Sequence, residues 1–380
     1  MKKLILSLVI SLIIFECQKV KAQQINEHLQ AYFDSTSLPS AVLGSVDADG
    51  NTNWYAYGRQ IWSDSATKIS KNHIHRLYSM TKPIASVAAM QLVERGLIGL
   101  DDPLNDLMPE MVEIPILDKD GNLYHSDQPI TLRQLLTHTA GFTHKGNSEK
   151  LRNFKQPADW PYANKPRIFE PGTDYRYGPG LNWVGNLIAK ISGKDLETYI
   201  HENITGPLKM NSTWFNVPEE LQDSIASTGT RDSLYNMVEW NRLPNVQTYY
   251  SAAAGMFGSP ADYLKFLQCI LNYGAYNGGR ILKKETVELM LTDNLPENVV
   301  LTNAYIKSDR WGIGWGIKAG DDEFARPVGS VYWAGIANTY FTLDPGSRIA
   351  IVYFSNFFPV LDKEAFGMYK LFEKEVFTKS

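Results

Sequence analysis

Two cysteines in 380 residues leave little room for covalent cross-links. Cys17 falls in a segment that reads as a removable leader, so Cys269 stands alone and no intramolecular disulfide is expected. Stability must then come from core burial, which this length permits. Cys269 sits in the amphipathic pattern Tyr263–Leu271 and reads as a buried apolar filler, not a nucleophile. The chain has no H-E-x-x-H, no C-x-x-C and no phosphate-binding loop. Its one close histidine pair, His73-Ile-His75, lacks acidic or cysteine partners at ligand spacing. Neither a metal nor another cofactor is therefore expected. G-x-S-x-G is absent, which disfavours the nucleophile elbow of α/β-hydrolases. Neither charge sign dominates: 37 basic residues face 41 acidic ones, for a formal net charge of −4. With no basic patch, nucleic acid is not an expected partner.

Long apolar runs are also scarce. One runs from Leu4 to Phe15, behind Lys2 and Lys3, and it is short for a membrane span. Val20-Lys21-Ala22 offers a small-residue cleavage site. Residues 1–22 are thus expected to be a signal peptide. The mature product would be periplasmic or secreted, with no stable membrane span. The rest has an ordinary globular balance, with 44% hydrophobic and 12% aromatic residues.

Strand patterns lie at both ends. Ala41–Asp47 and Thr52–Tyr57 flank Asp49-Gly50, and Asn338–Leu343 and Arg348–Phe354 flank Asp344-Pro345-Gly346. A helix is predicted over about Lys363–Phe377. The middle is mainly helical. Ile84, Val87, Ala88, Leu92 and Val93 keep helical spacing up to Gly96. Thr131 and Gln134 form a capping-box pattern, and Pro179 precedes a stripe from Leu181 to Ile191. The stretches 142–172 and 205–250 read as long surface loops. The expected fold is α/β (α+β): an antiparallel sheet flanked by helices, built from residues 23–80 and 251–380. A mainly helical unit, 81–250, is inserted, and the active site is expected in the cleft between the two.

Three segments carry chemistry. In Arg76-Leu-Tyr-Ser-Met-Thr-Lys-Pro83, Ser79 and Lys82 share one face at the start of a helix. That helix end supplies free N–H groups and partial positive charge. A desolvated Lys82 can take the Ser79 proton. Read alone, the pair is only a helix cap beside a surface lysine. In Pro171–Gly180, Tyr177 lies on a Gly/Pro loop. Near an ammonium its phenol would shift toward phenolate and relay protons. Otherwise it is a core tyrosine. Trp333-Ala334-Gly335-Ile336 precedes the last hairpin, and its small residues allow a strand backbone to approach a ligand closely. The Ile336 N–H is a candidate oxyanion donor opposite that of Ser79.

In this order and separation the segments resemble the serine β-lactamase and penicillin-binding-protein-like superfamily, nearest to class C β-lactamases and family VIII carboxylesterases. Supporting stretches are Leu77–Leu92, Gly96–Pro103, Ile130–Gly141, Ala253–Gly258, Trp311–Gly316 and Trp333–Asn356. The resemblance implies Ser79 as nucleophile, Lys82 and Tyr177 as proton-transfer groups, and Ser79 and Ile336 as oxyanion-hole amides. It also implies an acyl-enzyme and places Trp333, Ala334 and Gly335 along the substrate.

Two departures bear on specificity. The family's Tyr-x-Asn element reads Tyr177-Gly178-Pro179, and its Lys-Thr-Gly element reads Trp333-Ala334-Gly335. The first loses an amide that binds a β-lactam or peptide. The second loses a cation for a substrate carboxylate, a bond worth about 1.5–3 kcal/mol. The expected activity is therefore an exported serine esterase acting on small neutral or apolar esters. The alternatives are a β-lactamase, a D-amino-acid peptidase or amidase, an acyltransferase, or a non-catalytic sensor. Trp160, Tyr162 and Trp214 either line the site or pack loops.

Overall fold

Strands from the two ends of the chain meet in one antiparallel sheet. The computed structural model describes residues 19–378 except 64, 241–242, 302–308 and 321–322. Most of the expected leader, including Lys2, Lys3, the apolar run and Cys17, lies outside the described residues.

The sheet strands are β1 (Ser40–Asp47), β2 (Thr52–Gly58), β3 (Arg310–Trp311), β4 (Gly316–Ile317), β5 (Val331–Gly335), β6 (Thr339–Asp344) and β7 (Ile349–Phe354). Their order is β3-β4-β5-β6-β7-β1-β2. The predicted hairpins are its backbone. β1 pairs with β2 through Val42↔Ala56, β6 with β7 through Phe341↔Val352, and β1 joins β7 through Gly44↔Val352. Alternation puts successive side chains on opposite faces, and both faces are covered.

Besides the N-terminal helical residues 19–34, the long helices among the described residues are α1 (Thr81–Glu94), α2 (Leu181–Ser192), α3 (Pro260–Leu271) and α4 (Lys363–Phe377). α4 covers one face with the helical residues 19–34, burying Ile25, Leu29, Tyr55, Tyr353, Met368 and Phe372 together. The expected cleavage point after Ala22 falls inside this N-terminal helix. α3 covers the other face with Phe266 and Ile270. A buried Arg231–Asp362 pair at 2.8 Å and an Arg326–Glu373 pair at 2.9 Å tie loops to α4.

α1 is the central strut. Every residue from Thr81 to Leu92 is buried, because α2, α3 and the sheet side enclose it. The capping box forms as predicted: the Thr131 side chain accepts from the Gln134 amide, and the Gln134 side chain accepts from the Thr131 amide. The stretch 205–250 is less irregular than expected. It contains the short antiparallel pair Gly229–Arg231 and Met237–Glu239, too brief to leave an alternation in the sequence. Trp160 packs edge-on against Tyr162, and Trp214 stacks on His201, so these rings pack loops.

Candidate active site

Ser79 lies in a single 3₁₀ turn, Tyr78–Met80, directly ahead of α1. Tyr78 has φ 46, a left-handed value costly for a bulky residue. The turn is held from three sides. The Leu77 amide donates to Met256 O at 2.9 Å, the Met256 amide donates to Thr81 Oγ1 at 3.1 Å, and the Tyr263 hydroxyl donates to Met80 O at 3.0 Å.

Because the whole first turn of α1 is enclosed, Lys82 is only 1% exposed. Its Nζ donates to Ser79 Oγ at 3.1 Å and to the Ala253 carbonyl at 2.8 Å. Burial lowers its pKa from the ordinary lysine value to about 7. An amine with that pKa is in part neutral at pH 7 and can accept the Ser79 proton.

Tyr177 closes the triangle, with its ring centroid 4.6 Å from Lys82 Nζ. Gly178 lets this loop lie flat, since a Cβ there would stand 2.5 Å from Thr143 Cα. Thr143 Oγ1 and Asn147 Nδ2 both donate to Tyr177 O, at 3.1 and 3.2 Å. The expected drift toward phenolate is corrected by the structure. Burial raises the Tyr177 pKa, outweighing the Ser79 hydroxyl and the Trp333 indole, which pull it down. The phenol therefore stays protonated at neutral pH.

Trp333 faces the site from β5 and packs 4.9 Å from the Tyr177 ring and 4.5 Å, edge-on, from Trp311. Gly335 brings the strand end against the serine turn, where any Cβ would collide with Leu77 O and Thr339 Oγ1. The backbone of Ile336 follows at once, while its side chain is largely exposed. Ser79, Lys82, Tyr177, Trp333 and Gly335 are thus brought together. Ala334 is not among them. Strand alternation turns its methyl to the far face, against the α4 cluster, so only its main chain can border the site.

Two histidines were missed by sequence reasoning. His138, buried and at φ 59, lies 4.6 Å from the Tyr177 ring and 5.1 Å from Trp311. His144 lies 5.8 Å from Tyr177. Burial first, then the Lys82 charge, lowers both: His144 to about 4, and His138 well below the ordinary histidine value. Both are neutral at pH 7. The signal was the segment Thr137-His138-Thr139-Ala140-Gly141, which carries no local catalytic motif of its own.

A serine with an adjacent low-pKa amine, a protonated phenol and a strand backbone opposite is built for acyl transfer. Comparison with known proteins agrees. The chain is 28% identical to the monacolin J acid methylbutanoyltransferase of Aspergillus terreus, over 91% of this chain and 93% of that one. It is 28% identical to the lovastatin esterase of Penicillium rubens, over 73% and 75% of the two chains. The structure of a simvastatin synthase variant from Aspergillus terreus superposes with a TM-score of 0.83 at 26% identity, covering 92% of this chain and 93% of that chain. The Beta-lactamase family profile matches residues 25–369, and the chain belongs to that family.

Proposed function

We propose that the protein is a serine esterase that works through an acyl-enzyme on Ser79. The observation that carries this reading is the buried Lys82 amine, with its pKa near 7, held 3.1 Å from the Ser79 hydroxyl. Ser79 Oγ attacks the ester carbonyl while its proton passes to the Lys82 amine. The Oγ–carbon bond forms, the bond to the leaving alcohol breaks, and the alkoxide takes a proton through Tyr177. The main-chain amides of Ser79 and Ile336 are proposed to hold the oxyanion. Water then releases the acid, or an acceptor alcohol takes the acyl group. The second outcome is favoured by relatives named as methylbutanoyltransferases.

Trp333 presents an aromatic wall where the family carries a cation, which suits a neutral or apolar group at that side of the substrate. Export through residues 1–22 remains part of the proposal, on the strength of Lys2, Lys3 and the apolar run behind them. The test is turnover of a p-nitrophenyl ester and a chromogenic cephalosporin by the wild-type protein and by Ser79→Ala. Ester cleavage lost in Ser79→Ala, with a phosphonate adduct on Ser79, supports the reading. Faster cephalosporin turnover would favour a β-lactamase, and absence of both activity and adduct would favour a sensor.

A further inference from the structure

Arg76 stands three residues before Ser79, on a two-residue strand, His75–Arg76, that pairs with Phe257–Gly258. Its guanidinium lies 4.9 Å from the Phe257 ring and 5.8 Å from the Tyr78 ring. It borders a cavity of about 270 Å³ shared with Asn245, Gln247 and the chain from Ala254 to Phe257. That cavity is joined to the catalytic turn, since Ala254 follows the Ala253 carbonyl that holds Lys82 and Met256 O accepts from the Leu77 amide.

The fully buried arginines have partners. Arg231 pairs with Asp362 and Glu364, Arg326 pairs with Glu373, and Arg167 donates to the carbonyls of Ile114 and Val112. Arg76 is half-buried and differs in what its guanidinium lacks: among the described residues no carboxylate lies within ion-pair distance of it, and its Nε, like Arg167 Nη1, is buried without a hydrogen-bond partner. The Gln247 amide nitrogen is already spent on the Phe215 and Gly255 carbonyls, at 2.5 and 2.9 Å. The charged donor of the cavity is the guanidinium, held between two rings. A planar, permanently charged fork in such a setting suits a carboxylate, which accepts two parallel N–H bonds from it.

We propose that the Arg76 cavity binds a carboxylate carried by the substrate, so that the preferred ester is a half-acid with its charge here and its neutral part against Trp333. This deepens the esterase reading and rests on it. The lost family cation is then a relocated charge preference, moved from β5 to the strand that leads into Ser79.

Two ester pairs test it: mono-p-nitrophenyl glutarate against p-nitrophenyl butyrate, and 4-acetoxybenzoate against phenyl acetate. They place the carboxylate on the acyl and alcohol sides respectively. The readout is the ratio of kcat/KM for the charged ester to that for the neutral one. In at least one pair the ratio should fall about tenfold or more in Arg76→Gln and recover in part in Arg76→Lys, on the scale of a charge-assisted bond. An unchanged ratio in both pairs overturns the proposal. Calorimetric titration of glutarate into the wild-type and Arg76→Gln proteins reads the cavity without turnover. Binding weakened at least about tenfold supports it, and equal binding, or none to the wild type, refutes it. If no ester is cleaved and Ser79 takes no phosphonate, the esterase reading fails, while the titration still decides the cavity. If Arg76→Gln does not fold, glutarate inhibition of wild-type ester cleavage decides. Competitive inhibition that weakens with salt supports the cavity, and absence of inhibition refutes it.

Discussion

Asn182 accepts from the Ala253 amide at 3.1 Å, and the Ala253 carbonyl on the same residue accepts from Lys82 at 2.8 Å. Asn182 also accepts from the Ser251 hydroxyl at 2.9 Å. One side chain on the first turn of α2 thus sets the acceptor that holds the Lys82 amine. In Asn182→Leu, two donors lose their partner, which costs about 1–3 kcal/mol. We expect a lower urea midpoint and a fall in kcat of about tenfold. Asn182→Asp keeps the acceptor and should restore most of the rate. A full rate in the leucine variant would separate the 251–253 loop from catalysis.

Lys82 makes a pH prediction of definite sign. Its folded pKa is about 7, below the ordinary 10.5. With the neutral amine as the proposed base, kcat/KM should rise as pH goes up through about 7. Stability follows the same direction for a different reason. Between about pH 7 and 10.5 the unfolded chain keeps this proton while the folded one has lost it, so raising the pH through that window stabilises the fold. Lys82→Met should flatten the slope of unfolding free energy over that window. At pH 7 it should also be at least as stable as the wild type, since an apolar replacement of a buried charge is often neutral or better. A variant with the wild-type slope would place the titration elsewhere.

The parts of this structure that were legible share a physical cause. Hairpins at 40–58 and 339–354, and the helix Lys363–Phe377, bury one face each, so their periodicity is written in local sequence. Ser79 and Lys82 could be read as a pair because three residues on a helix fix their relation. What could not be read depends on long-range closure. Lys82 is desolvated because α1 is buried in a core to which α2, α3 and the sheet, all distant in sequence, contribute side chains. The Tyr177 phenol stays protonated because His138, Trp311 and Trp333 surround it from three separate segments. The face to which the Ala334 methyl turns was not legible either, because alternation within β5 depends on where the strand begins.

Cys269 is 2% exposed on α3, and burial pushes its thiol up to about 12. The thiolate population at pH 8 is then negligible, and access is blocked as well. Iodoacetamide should leave Cys269 unmodified in the native protein and alkylate it only beyond the unfolding transition, as read by peptide mass. Labelling of the native protein at pH 8 would show that α3 opens locally.

Tyr177→Phe separates a proton relay from a phenolate base. The ring contacts to His138 and Trp333 survive this change. The lost hydroxyl is buried beside the Ser79 hydroxyl and the Trp333 indole but in full hydrogen-bonding geometry with neither, so stability should hold or rise slightly. The rate should nevertheless fall about a hundredfold, within the range of lost acid–base catalysis. The shape of the pH profile is the discriminating readout. Burial keeps the phenol protonated well past neutrality, so the wild-type limb near pH 7 belongs to Lys82 and should persist in the phenylalanine variant at reduced height. If the limb vanished with the hydroxyl, Tyr177 would be the titrating base and Lys82 only its counter-charge. The assignment of the two roles would then have to be exchanged.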